Sequence, residues 1–323
     1  MEISVPLILS PEEESLVDMH SVLNVLNVVN FEILEIGVLL DASDEADLLM
    51  DEVADAAEML KNPTQSKLLV AGIEGFVGRL EAALDAIELQ RGQHGIAQVK
   101  ARRENLRNIF RVIQVRAGEI QSRFEAKRAW VEHDISDLKS RFDQFLQAVE
   151  KNSHGGYRIV RNLADKHDRD YLINFELTSE EGESLWMPIV FQDVMRDILA
   201  NARKYTRPGG KINGGLHFGG GSLRYVVEDT GIGISPDEIE DVIRFGYRGA
   251  NVSSRPTRGG GFGLTKAYWV TRQHNGRMWI DSSPDGTRVE IKLPVPVEVN
   301  GAGGGSKETV SVTSSRKAEK PSG

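Results

Sequence analysis

VVEDTGIGI, residues 226–234, is the stretch whose reading decides the fold. It follows Leu223, Arg224 and Tyr225, and the run from Leu223 to Val227 reads as a strand that delivers Asp229 into a turn. Gly231 and Gly233 in that turn let a ligand approach the backbone closely. A carboxylate held there accepts a hydrogen bond from the exocyclic amine of adenine, a donor that guanine lacks. Two turn glycines fit a plain hairpin equally well, so the neighbouring segments decide.

Three of them carry compatible chemistry. Upstream, QDVMRDILANARKYT (192–206) places Val194, Ile198, Leu199 and Ala202 on one apolar helical face. Asp197, Asn201 and Lys204 fall at i, i+4 and i+7, hence on one polar stripe. A neutral amide oxygen suits Mg²⁺ and a lysine suits phosphate oxygens, although an ordinary surface helix would carry the same stripe. Downstream, IRFGYRG (243–249) offers Phe245 and Tyr247 as anchors and Arg248 as a phosphate fork. RGGGFGLT (258–265) offers backbone N–H groups to phosphates at the start of a helix near Leu264. Residues 250–258 between them are short and polar, as a nucleotide lid requires.

In order and spacing these segments resemble the N, first glycine, F and second glycine boxes of the GHKL ATPase superfamily, most closely those of sensor histidine kinases. The resemblance covers about residues 155–295 and includes a final strand, GTRVEIKLP (286–294). It implies an α/β sandwich, a mixed sheet backed by helices, that binds ATP and Mg²⁺. Asn201 is then the Mg²⁺ ligand, Lys204 a phosphate contact and Tyr205 part of the adenine pocket. Asp229 reads adenine, with Gly231, Gly233, Ile234 and Thr287 around it. Gly259, Gly261 and Gly263 hold the phosphates, with Phe262 and Leu264 in the same loop, and Arg248, Arg255 and Arg258 offset charge. Asp197 stands where many members have another asparagine, and its carboxylate is still a fit ligand for magnesium.

The first half has another texture. Residues 10–150 contain little Gly or Pro and read as helical almost throughout, as a long-helix bundle ahead of the sandwich; the fold class is α+β. SPEEE supplies an N-cap at Ser10, a first-turn Pro11 and a capping-box Glu13. The helix that follows is apolar on several faces, which calls for several packing neighbours and a homodimer. A second helix ends at KNPTQ, a third runs to about Gln90, and the pattern from Ile96 to about Glu150 suits one very long helix. Residues 41–92 read as a helical insertion, 155–297 as the ATPase domain, and 298–323 as a disordered tail too poor in apolar groups to fold.

Composition excludes other classes. A net charge of −9 argues against nucleic acid, and the absence of cysteine rules out disulfides and thiolate metal sites and fits a reducing cytosol. The apolar run from Val22 to Leu40 is broken by Asn24, Asn27, Asn30, Glu32 and Glu35, which argues against membrane insertion, and no secretory signal is evident. The expected location is the cytoplasm.

A kinase of the resembled type needs an acceptor histidine on an upstream helix. Of seven histidines, His94 sits in the breaker RGQHG, His154 and His167 in the linker or its first strands, and His217 and His274 inside the ATPase region. His133, followed by Asp134, lies off the apolar stripe and only 68 residues (201 − 133) before Asn201. His20 shares a stripe with Asn24 and Asn27, and the resembled family has Thr or Asn at the position of Asn24, where it orients water for regulator dephosphorylation. Ser21 replaces the usual acid, Val25 the frequent proline, and the separation from Asn201 is 181 residues (201 − 20). The expectation is a histidine kinase that autophosphorylates on His20 and passes the phosphoryl group to a response-regulator aspartate, with Asn24 available for phosphatase work. Two alternatives stay open: an ATP-binding scaffold or regulator phosphatase, and a serine kinase resembling the mitochondrial dehydrogenase kinases. His20 could equally be a hydrogen-bonded core histidine that fixes bundle register.

Overall fold

The computed structural model describes residues 1–91, 97–125, 129–151, 153, 155–249 and 261–300. His94, His154, Arg255, Arg258, Gly259, the whole lid at 250–258 and most of the tail lie outside them.

Five helices come first: α1 (Pro11–Leu40), α2 (Ser43–Met59), α3 (Pro63–Ala71), α4 (Ile73–Arg91) and α5 (Ala97–Glu125). The start of α1 is the capping box read from the sequence. The Ser10 hydroxyl accepts the Glu13 N–H at 3.2 Å, and the Glu13 carboxylate accepts the Ser10 N–H at 2.8 Å. α1 packs against α5, α2 and α3 around an apolar core running from Met19 to Ile120. At Gly37 the crossing with α2 is so close that a Cβ would stand 2.4 Å from that of Ala46. A polar pin fixes α1 to α5: buried Glu32 accepts from Arg102 at 3.2 Å and from Asn105 at 2.9 Å, while Glu35 accepts from Arg102 at 2.9 Å. α1 is also long and apolar enough to cross a membrane by composition, with a window of mean hydropathy 1.7, of which 39% is buried within the protein.

Two expectations fail here. The third helix is two, α3 and α4, broken at Gly72 (φ −97°, ψ 11°). The single helix from Ile96 to Glu150 is also two, with a strand between them: α5 ends at Glu125, β1 spans Trp130–Asp134, and α6 spans Ile135–Lys151. Trp130–Asp134 pairs antiparallel with residues 184–188, so strand pairing overrides the helical spacing of Val131, Ile135 and Leu138.

The remaining strands and helices are β2 (Ile159–Val160), β3 (Tyr171–Ser179), β4 (Ser184–Pro188), α7 (Phe191–Tyr205), β5 (Lys211–Gly219), β6 (Ser222–Asp229), α8 (Gly263–Gln273), β7 (Arg277–Ser283), β8 (Gly286–Pro294) and a short α9 (Val297–Asn300). Six form one sheet in the order β2-β3-β5-β6-β8-β7, parallel at β2-β3 and β3-β5 and antiparallel elsewhere. α6, α7 and α8 contribute to one core with this sheet, and Phe142 of α6 stacks on Phe175 of β3 at 4.0 Å. Residues 130–151, read as part of the helical region, therefore pack with the ATPase region. So does the N-terminal segment: Ile3 is 2% exposed in that second core, with Val5 and Leu7 against it.

Candidate active site

β6, α7 and α8 converge on a cavity of about 270 Å³. The strand β6 runs on to Asp229, two residues past the Val227 read from the sequence, and the turn after it folds back over α7. The Gly231 N–H donates to Asp229 Oδ1 at 2.8 Å, and the Ile232 N–H donates to the Tyr205 carbonyl at 3.3 Å. Gly233 has φ 69°, and a Cβ there would meet the Ser283 carbonyl oxygen at 1.9 Å, so only glycine closes this turn. Burial pushes the Asp229 carboxyl up, against the N–H donors of Gly231 and Thr287. Thr287 faces Asp229 across the β6–β8 ladder and shares a 2.8 Å hydrogen bond with Ser282.

α7 supplies the polar floor. Asp197, Asn201, Lys204 and Tyr205 all line the cavity. Burial lowers the pKa of Lys204, and the nearby positive charges of Arg248 and Arg203 lower it further. Arg248 lines the same space, so two cationic side chains converge at this end of the cavity. Behind Asp197 lies a cluster that the motifs do not announce. The fully buried Lys266 of α8 donates to Asp193 at 3.0 Å and stands 3.9 Å from Asp197. Arg196 also binds Asp193. Burial outweighs the attraction of Lys266 and pushes the Asp197 carboxyl up to about 6. Its Oδ2 is buried without a hydrogen-bond partner. That oxygen and the amide of Asn201, one helical turn apart, are hard donors that suit Mg²⁺. Among the described residues no group of three or more His, Cys, Asp or Glu side chains is placed to hold a metal ion by itself.

The loop before α8 closes one side. Gly261, Phe262, Gly263 and Leu264 line the cavity, as does Ile234 from the turn. Phe245 packs on Phe262 with ring centroids 4.7 Å apart, and the Tyr247 hydroxyl donates to Glu238 at 2.8 Å.

His20 belongs to the same cavity. It reaches from α1, 7% exposed, and meets the ring of Phe262 edge-on at 5.2 Å. Asn24 lines the cavity beside it, with its amide nitrogen 3.0 Å from His20 Nε2. Nδ1 of His20 is buried without a partner, and so is the hydroxyl of Ser21, which stands where the resembled kinases have an acid. Burial, then the charge of Lys266, lower the pKa of His20 to about 4; Asp193 opposes them and Lys204 adds to them. The imidazole is neutral at neutral pH and so retains a lone pair for nucleophilic attack.

Of the expected site residues, the cavity brings together His20, Asn24 and the nucleotide set apart from Gly231, Arg255, Arg258 and Gly259, of which Arg255 and Arg258 lie outside the described residues. Gly231 lies in the turn behind the wall, and Gly259 is outside the described residues. Asn27, though on the stripe of His20, is exposed and away from the cavity. His133 is on β1, facing Gln192 at 3.4 Å, and burial lowers its pKa to about 4 without placing it in the cavity. Lys266 and Asp193 were missed. Their signal was a lysine at a buried position of an amphipathic helix, which demands a counter-charge on the facing helix.

Residues 187–297, which include α7, β6, α8 and β8 around this cavity, match the family of histidine kinase-, DNA gyrase B- and HSP90-like ATPases. The chain is also similar over part of its length to curated histidine kinases. It is 36% identical over 175 residues to the histidine protein kinase DivJ of Caulobacter vibrioides, a match covering 54% of this chain and 27% of that one. It is 35% identical over 176 residues to the adaptive-response sensory kinase SasA of Trichormus variabilis, covering 51% of this chain and 42% of that one. Among solved structures, the mycobacterial sensor histidine kinase MprB matches 51% of this chain and 97% of its own at 23% identity, with a TM-score of 0.36. The chain thus spans less than half the length of these two curated relatives.

Proposed function

We propose that the chain is an ATP-dependent protein histidine kinase of a two-component system that autophosphorylates on His20. One observation carries this reading: a neutral, buried histidine from the helical region lines the same cavity as Asn201, Lys204 and Asp229. Asp229 selects the adenine amine, and Lys204 and Arg248 bind the phosphates. Asn201 and Asp197 would hold Mg²⁺, which supplies charge neutralisation on the phosphates when bound. Phe262 keeps His20 against the phosphate loop and excludes water from its ring edge. An aspartate on a receiver domain then takes the phosphoryl group. We further propose that the protein works in the cytoplasm and as a homodimer, for which the apolar faces of α1 and its charge-interrupted sequence are the support.

A second reading is favoured by the surroundings of the imidazole. Nε2 is engaged by Asn24, and no carboxylate holds the proton on Nδ1, so activation of His20 is weak and the same pair suits regulator dephosphorylation. Incubation with γ-labelled ATP separates the two. Acid-labile label present in the wild-type chain and absent from His20→Ala supports the kinase. Label persisting in His20→Ala removes His20 from the reaction, and no label in either supports the phosphatase or scaffold. Acid-stable label transferred to a second protein supports a serine kinase.

A further inference from the structure

The segment ahead of α1 is built into the ATPase sheet. The Ile3 N–H donates to the Met278 carbonyl at 2.8 Å, the Ile280 N–H donates to the Met1 carbonyl at 2.9 Å, and Glu2 stands opposite Trp279 in an antiparallel bridge. Ile3 sits in the core at 2% exposure, and the buried Tyr268 of α8 donates its hydroxyl to the Val5 carbonyl at 2.7 Å. The motifs gave no hint of this, although Ile3, Val5 and Leu7 alternate as a strand does. From Leu7 only four steps lead to Pro11, at most ~14 Å of chain, and His20 lies nine residues further along α1, about 14 Å of helix.

The far side of the bundle is held as well. Arg116 and Glu119 of α5 pair with Asp193 and Arg196 of α7, at 3.6 and 3.4 Å. The hairpin that carries His20 is therefore fastened twice to the ATPase region of its own chain: at β7 and α8 through the N-terminal segment, and at α7 through α5. Between those points His20 rests on Phe262, at the mouth of the nucleotide cavity.

We propose that the nucleotide and the histidine that react belong to the same chain, with residues 1–7 as the strand that positions the acceptor helix. This rests on the kinase reading above. In the step, a lone pair of the His20 imidazole forms the N–P bond to the γ-phosphorus as its bond to the β,γ-bridging oxygen breaks. ADP leaves with that electron pair, and the proton on the other ring nitrogen passes to water. A second copy of the chain would have to displace these contacts to present its own His20.

Two full-length variants test this. His20→Ala keeps the nucleotide site, and Asp229→Asn keeps the acceptor but loses adenine recognition. Transfer within a chain predicts no label in their mixture, and wild-type labelling with a half-time independent of protein concentration. Label on the Asp229→Asn chain in the mixture, at the wild-type rate, overturns the proposal while leaving the kinase reading intact. A wild-type chain that takes no acid-labile label overturns both. For the strand, Ile3→Pro removes the bond to Met278. The expected result is labelling at least ten-fold slower with unchanged ATP half-saturation, together with faster deuterium exchange at the Ile280 amide. Unchanged labelling despite faster exchange overturns the positioning role. If ATP binding falls with it, Tyr268→Phe, which deletes only the hydroxyl that binds Val5, carries the same comparison.

Discussion

The two regions of this molecule hold their functional groups by different means. Asp229 is held by the N–H of a glycine two residues away, and its companions Asn201, Lys204 and Thr287 lie on elements adjacent in one sheet-and-helix unit. Among the described residues, His20 has Asn24 as its local hydrogen-bond partner. Its burial, its edge contact and its lowered basicity come from Phe262 and Lys266, more than 240 positions along the chain (262 − 20 = 242). One region writes its chemistry in motifs, and the other borrows it through packing. The two should therefore fail separately.

Asp229→Asn is expected to have the largest effect. It exchanges a carboxylate acceptor for an amide whose N–H₂ faces the adenine donor. A hydrogen bond to a charged group is worth about 1.5–3 kcal/mol, so ATP affinity should fall roughly 10- to 150-fold. Calorimetric titration with ATP measures this, while thermal unfolding of the α1–α5 bundle should be unmoved. A bundle that melts earlier in this variant would mean that the two regions are not independent.

Glu32→Ala attacks the other region. Removing one member of a fully buried ion pair costs about 3–5 kcal/mol. Arg102, however, is one-third exposed and keeps Glu35 as a partner, so the expected loss is about 2 kcal/mol. Gly37→Val should cost about 1–3 kcal/mol by overpacking the contact with Ala46. Urea unfolding reads both. ATP affinity should stay within two-fold of wild type, whereas labelling at His20 should slow, because only the acceptor depends on how the bundle is set.

The same contrast explains what was legible beforehand. The start of α1, the span of α7, the end of β6 and the final strand could be read because each is fixed by local chemistry: a capping box, an amphipathic stripe, a glycine turn, alternation. The strand at Trp130–Asp134 could not, because its partner lies some fifty residues away (184 − 134 = 50) and its apolar spacing continues that of the helix before it. The attachment of Ile3 to β7 was hidden for the same reason, at a separation of 275 (278 − 3). Lys266 was invisible as a neighbour of His20, since nothing in LTKAYWV says which charged group its buried ammonium faces. The elements that carry Asn201, Lys204 and Asp229 to one cavity were thus readable, whereas the bundle's contribution to that cavity was readable only as a stripe containing a histidine.

The smallest effect concerns pH, and it tests whether the borrowed environment is real. His20 is held at about 4, below its ordinary 6.5, so the folded chain binds this proton more weakly than the unfolded chain does. Stability linked to His20 is therefore complete above about 6.5 and is lost as pH falls from there toward about 4. His20 stays neutral over the same window, so an acid limb that it sets in the labelling rate should fall near 4 rather than near 6.5. NMR titration of the imidazole, with Phe262→Ala alongside, isolates the cause. Burial is the largest influence on His20, and removing the ring that covers its edge should move the midpoint upward. A midpoint already at 6.5 in the wild-type chain would mean that His20 is solvated in solution, and that the packing against Phe262 does not hold the acceptor at the nucleotide site.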